Sequence, residues 1–179
     1  MILLVAVVAG MLVGLGWAAN QKIKYEAPVL HHLWLIPAAF FLQKFAHPTD
    51  VFLPISQILF IGFAFLNRHS VGIKILMFGA VLNFLVMISN GGFMPISPET
   101  ANRVVSSEVF LDFQSGTRFG VKDILLLPEQ THFEWLADRF LPPIWSPYQV
   151  AFSLGDMFIA AGAFWMLAKP QKIEKVISI

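Results

Sequence analysis

Asp156 is the residue whose position most invites chemistry. It is the one charged side chain in the apolar stretch from Gln149 to Ala168. A carboxylate in hydrocarbon costs about 2.5–3.5 kcal/mol on insertion scales, so it is normally paired, protonated or used to move an ion. Asn83 and Asn90 stand seven residues apart, on one helical face of a second apolar stretch and its end. A hydrogen-bonded cluster of Asp156 with Asn83 and Asn90, or with the Asn90-Gly91-Gly92 backbone, is therefore expected. Its functional reading is a proton or cation site. Its structural reading is the satisfaction of buried polar groups, which is the commoner need.

The remaining chemistry-bearing side chains are sparse. His31 and His32 are adjacent, so on a helix they point about 100° apart and cannot readily serve one metal. Either could be a single axial ligand to a haem or a chlorophyll-type pigment, against the plainer reading of an interfacial pair. His47, His69 and His132 show no metal-ligand spacing. Glu129, Glu134 and Asp138 could do acid–base work, although on an amphipathic helix they read as a solvated face. No nucleophile elbow, phosphate loop or zinc-protease motif occurs. Cysteine is absent, which removes disulfides, thiolate metal sites and thiol nucleophiles together.

The elements that must position these residues are apolar helices. Of 179 residues 57% are hydrophobic and 13% charged, with a mean hydropathy of +0.71. Soluble domains carry about 45–50% and about 25%. The net charge of +1, with no basic run among aromatics, argues against nucleic acid as a partner. Five stretches read as membrane spans: residues 2–19, 28–42, 51–66, 71–89 and 149–168. The first has a small-x-small site at Gly16-Trp17-Ala18 but lacks the basic segment of a signal peptide, and is read as a true span. Its Gly10 and Gly14 form a G-x-x-x-G pair suited to close helix packing. The expectation is an all-α membrane protein, residues 1–179 forming a single integral domain.

Basic residues orient it. Lys22, Lys24, Arg68, Lys74, Lys169, Lys172 and Lys175 fall on one side of the five spans and Lys44 on the other. This predicts an outside N-terminus and a cytoplasmic C-terminus. The long loop 90–148, with seven acids and four Lys/Arg, then faces outside. Within it, Asn90-Gly91-Gly92 is a helix stop and Pro95 delays a restart. Ser97, Pro98 and Glu99 supply an N-cap, a first-turn proline and a dipole-facing acid for a short helix from Pro98 to about Ser107. Gln114 to Thr117 reads as a turn, and Lys122 to Pro128 as a short extended or buried segment. Glu129 to Phe140 reads as an amphipathic helix with Phe133, Leu136, Ala137 and Phe140 on one face. Pro142, Trp145 and Tyr148 suit a membrane interface.

Several of these features occur together in a known family. The glycine-containing N-terminal span, Leu82-Asn83 running into N-G-G-F-M-P-I-S-P-E (90–99), Leu125–Leu127 leading to Trp135–Asp138, and Phe152-Ser153-Leu154-Gly155-Asp156 recur in that order. In these the chain resembles the domain of unknown function 5317 family. The resemblance implies a small polytopic protein of the bacterial cytoplasmic membrane and supplies no activity, cofactor or catalytic residue. It also implies that the Asn-Gly-Gly turn and the Gly-Asp pair act together to dock the loop on the bundle. Phe93 stands where that resemblance leads one to expect a basic residue, so no cation reaches Asp156 from there. The function expected is that of a non-enzymatic accessory or scaffolding subunit, with the bilayer and other membrane subunits as partners. A small transporter using Asp156 with Asn83, an enzyme using the loop carboxylates, and a cofactor- or pigment-binding subunit using His31 or His32 are the rivals.

Overall fold

A computed structural model describes residues 2–44, 51–105, 114–146 and 148–169. The described residues form six helices: α1 (Ile2–Asn20), α2 (Leu35–Lys44), α3 (Phe52–Leu66), α4 (Val71–Ser89), α5 (Pro98–Val104) and α6 (Leu154–Ala168). Three short strands, β1 (Met94–Ile96), β2 (Arg118–Phe119) and β3 (Asp123–Leu125), lie between α4 and α6. By length and composition α1 and α4 could each cross a membrane, while α2, α3 and α6 are shorter apolar helices.

The helices pack in a row, with α6 between α1 and α4, then α3, then α2. Directions alternate along the chain. Gly10 of α1 meets Phe164 and Gly14 meets Leu167, so α1 runs parallel to α6. Gly72 of α4 meets Gly162 and Gly79 meets Gly155, so α4 runs antiparallel to it. Phe40 of α2 stacks edge-on against Phe60 of α3 at 5.3 Å, and Gln43 reaches Ser56. The end of α4, the start of α6 and the start of α3 therefore lie at one end of the bundle, where Leu53, Val86, Met87, Met94 and Leu136 form a core.

The α4–α6 contact is made backbone to backbone. A methyl group at Gly72 would lie 2.7 Å from the Gly162 carbonyl oxygen and the Met166 nitrogen. One at Gly162 would lie 2.5 Å from the Gly72 oxygen and the Leu76 nitrogen. Gly79 and Gly155 repeat the arrangement two turns away. Two helices that are apolar all round gain little by distinguishing one face from another. Small residues at seven-residue spacing create the face by letting the axes approach. The Gly10/Gly14 pair does the same for α1 against α6, where Tyr25 Oη donates to the Leu167 carbonyl at 3.0 Å.

Five expectations need correction. The architecture is not all-α, because β1, β3 and β2 form a sheet with β1–β3 parallel and β3–β2 antiparallel. The second helix begins at Leu35 rather than Pro28. The side chain of Asn67 takes both the N–H and the carbonyl of His31, at 2.7 and 2.9 Å, and His32 is left-handed, so that backbone cannot be helical. The last helix begins at Leu154 rather than Gln149, since Phe152 pairs with Phe140 in an antiparallel bridge. Residues 129–140 form two 3₁₀ turns, Pro128–Gln130 and Glu134–Leu136, with left-handed Phe133 between them. Their backbone groups are used elsewhere: Asn90 holds His132, and the Asp138 N–H donates to Pro95. The short helix from Pro98 ends at Val104, with Val105 extended, rather than near Ser107; residues 45–50 with His47, and Lys172 and Lys175, lie outside the described residues.

Gly162→Ala is expected to destabilise the protein by about 1–3 kcal/mol through overpacking. Gly62→Ala, where the added methyl meets nothing within 4 Å, is expected to be neutral or to stabilise by up to about 1 kcal/mol. Thermal unfolding of both variants in one detergent checks the contrast.

Candidate functional site

The polar site is assembled where α4 ends and α6 begins. Ser153 caps α6: its Oγ accepts from the Asp156 N–H at 3.0 Å, and the Asp156 carboxylate accepts from the Ser153 N–H at 3.2 Å. This reciprocal capping box satisfies two orphan donors of the helix start. Asn83 of α4 then reads the box with both ends of its amide. Its Nδ2 donates to Asp156 Oδ1 at 2.8 Å, and its Oδ1 accepts from Ser153 Oγ at 2.8 Å. Gly155 leaves room for this, because a side chain there would collide with the Asn83 amide oxygen. Asp156 is thus in the first turn of α6, not two turns into an apolar helix as its sequence setting predicts.

Asn90 does not join this cluster. It ends α4, and its Nδ2 donates to the Val86 and His132 carbonyls at 2.8 and 2.9 Å. Its Oδ1 accepts from the His132 N–H at 2.9 Å. Gly91 and Gly92 follow with φ of 70° and 89°, and the Gly92 N–H closes on the Met87 carbonyl at 2.8 Å. That is a Schellman stop, in which positive φ favours glycine. The chain then enters β1, with Phe93 to Ile96 fully buried, before Ser97 caps α5 and Pro98 opens it. The stretch 90–99 is therefore a turn, a buried strand and a helix start, the strand being the part that its glycines and prolines conceal.

Asn67 and Asn90 play the same part. Each follows a helix (α3, α4) and clamps the backbone of a distant histidine, His31 and His132 respectively. His31 and His32 contribute exposed rings, His31 lying edge-on to His69 at 6.3 Å. Among the described residues no group of three His, Asp or Glu side chains could hold a metal.

Lys122 and Asp138 are what sequence reasoning missed. Asp138 is 1% exposed rather than part of a solvated face, and its Oδ2 receives Lys122 Nζ at 2.8 Å. Asp123 Oδ1 lies 3.7 Å from the same ammonium. Burial, opposed by Lys122, pushes the Asp138 carboxyl up to about 7, and burial likewise raises Asp123. Burial alone would lower Lys122, but the charges of Asp138, Asp123 and Asp156 outweigh it and hold the ammonium above its ordinary range. The Arg118 guanidinium sits 4.5 Å over the Phe93 ring, so this ring faces a cation of its own. Of the other loop acids, Glu129 is exposed and Glu134 makes a surface ion pair with Arg139 at 3.0 Å.

The ion pair stands between two hollows. Asp138 lines a small polar pocket of about 240 Å³ with Ser97, Glu99, Thr100, Arg103 and Glu134. Lys122 and Asp156 line a cleft of about 940 Å³ walled by α1, α2, α3, α4, α6 and residues 142–146 and 148–152. Its lining is apolar apart from the Asn83, Lys122 and Asp156 end, Gln43, Gln57 and Ser146.

Comparison with known proteins gives a family. A model described as a family of unknown function, DUF5317, matches residues 21–168. The chain belongs to the DUF5317 family. The match takes in every element from α2 to α6 and hence the polar site. This DUF5317 chain is also 29% identical over 176 residues to an uncharacterized protein of Thermotoga maritima, covering 95% of this chain and 90% of that protein. No solved structure matches.

The raised Asp138 carboxyl has a definite sign in stability. Between its ordinary value of 3.8 and about 7, the folded DUF5317 chain keeps a proton that the unfolded chain has lost. Its contribution is fully present below about pH 4 and falls as pH rises towards 7, by up to about 1.4 kcal/mol per pH unit. Asp138→Asn is expected to remove that slope in unfolding curves taken across the window. A slope identical in the variant would contradict the assignment.

Proposed function

We propose that the chain is a five-span integral protein of the bacterial cytoplasmic membrane that acts without catalysis by holding an amphiphile in its cleft. The observation that carries this reading is the cleft of about 940 Å³, walled by α1, α2, α3, α4 and α6. That volume lies at the upper end of ligand pockets, about 300–1,000 Å³, which are apolar with a few convergent polar groups. A hydrocarbon tail suits the apolar wall and a polar head suits the Lys122–Asp156 end. In this role the protein is an accessory component of the membrane, with lipid as its first partner and other membrane subunits as further ones.

Topology follows from the alternating helix directions and the basic residues. Lys22, Lys24, Arg68, Lys74 and Lys169 cluster at the end of the bundle away from the sheet. On the positive-inside rule that end is cytoplasmic, the N-terminus is outside and the 90–148 cap faces outside. The whole chain then forms one integral domain. Exposed Trp145, Ile144 and Tyr148 lie at the level of the cap, where an interface would take them.

Other readings draw less support. Both oxygens of Asp156 already accept hydrogen bonds, one from the Ser153 N–H of its own helix cap and one from Asn83, which fits a structural carboxylate better than an ion carrier. His31 and His32 do not line the cleft, which weighs against a pigment ligated there. A pure scaffolding role leaves the cleft without use.

The cysteine-free sequence makes topology easy to test. A cysteine at Thr117 is expected to react with a membrane-impermeant thiol reagent on intact cells, and one at Lys24 only after lysis; the reverse pattern would invert the topology. For the ligand, native mass spectrometry of protein extracted in mild detergent is expected to show an added lipid-sized mass at about one per chain. Filling the cleft with Val5→Trp or Ile36→Trp is expected to remove it. A bare wild-type chain would count against the amphiphile, and reproducible partner masses without lipid would favour scaffolding.

A further inference from the structure

The polar end of the cleft selects a head group by charge. Lys122 looks like an anion site on a first view of the cleft wall, but its ammonium is already held by Asp138 at 2.8 Å and flanked by Asp123 at 3.7 Å. Asp156, whose charge also acts on Lys122, stands at the same end. Three carboxylates thus face one ammonium, in surroundings where charges are felt far more strongly than in water. An anionic head would find no free cation there and would have to break the Lys122–Asp138 pair to gain a partner. Breaking such a pair leaves a buried charge uncompensated.

Acceptors, by contrast, are in surplus. Asp138 and Asp123 stand behind the cleft wall rather than on it, so the carboxylate that a head group meets there is Asp156. The Asp156 oxygens each take one donor, from Asn83 and from the Ser153 N–H, and a carboxylate has about four acceptor sites. A head group that donates can use those remaining sites without displacing Lys122 from its partners.

Building on the amphiphile reading of the cleft, we infer that its ligand carries a hydrogen-bond-donating head without negative charge, set against the Asn83–Lys122–Asp156 end. Hydroxyl and ammonium heads share this chemistry. The tail lies along α1 and α2 on the side of Val5 and Ile36.

Three probes with one tail and different heads test it: oleyl alcohol, oleylamine and oleyl sulfate. Each is titrated by native mass spectrometry against the full chain in a nonionic detergent after removal of bound lipid. Oleyl alcohol, oleylamine or both are expected to bind about tenfold or more tightly than oleyl sulfate. Which of the two binds better names the head. Asp123→Asn, outside the helix cap, is expected to narrow the gap between oleylamine and oleyl sulfate. Oleyl sulfate binding as tightly as both others would overturn the head-group inference while leaving the cleft reading intact. No binding by any probe, or binding that neither Val5→Trp nor Ile36→Trp weakens, would overturn the cleft reading itself.

Discussion

The close approach of α4 and α6 is the constraint on which the rest of the molecule depends. Gly72 against Gly162 and Gly79 against Gly155 bring two backbones together where any side chain would hold them apart. Apolar helices slide and rotate against each other at little cost, so packing alone would leave the register weakly defined. The amide of Asn83 supplies that definition. It engages the Ser153–Asp156 capping box with both of its polar atoms, and only one rotation and one height of α6 allow this. A polar interaction at one point thus fixes what the glycines only permit. Because α1 packs on the other side of α6 through Gly10 and Gly14, its position follows from the same contact.

A second device, the side-chain amide used as a backbone partner, fastens one segment at each end of the bundle. Asn67 and Asn90 each present a donor and an acceptor to the two backbone groups of one residue, as a neighbouring strand would. This joins segments 36 and 42 residues apart in sequence. It explains why the 28–34 and 129–140 segments are irregular despite helical patterning. A backbone whose N–H and C=O are held from outside has none to give to a helix. The short sheet completes the cap and carries Lys122 and Asp123 to the bundle end, where Asp138 arrives by its own bridge to Ile96.

Much of the bundle was legible beforehand, for identifiable reasons. The 71–89 helix has the bounds that its hydropathy implies, since Ser70 caps it and Asn90-Gly91-Gly92 stops it. The start of α5 follows from Ser97-Pro98-Glu99 because capping is a local matter. The Asn83–Asp156 contact could be expected from cost alone, as a carboxylate beside apolar helices needs a donor and few were on offer. Asp138 was misjudged because its neighbours carry the spacing of an exposed helix, and a charged residue in such a pattern reads as solvated. Lys122 gave no signal of its own beyond standing next to Asp123. Asn67 was hidden at the end of an unremarkable helix.

By itself the sequence determined the class of the molecule: apolar helices, where most of them lie, which residues stop and start them, and which small residues permit close packing. These depend on local sterics, capping and transfer of side chains from water, all properties of a residue and its near neighbours. Only the tertiary structure decided the sheet, the breaking of two helical patterns, the burial of Asp138 with Lys122, and the cleft. Each of these requires groups far apart in the chain to satisfy one another's hydrogen bonds or charges, and no periodicity records which distant partner a polar group will find.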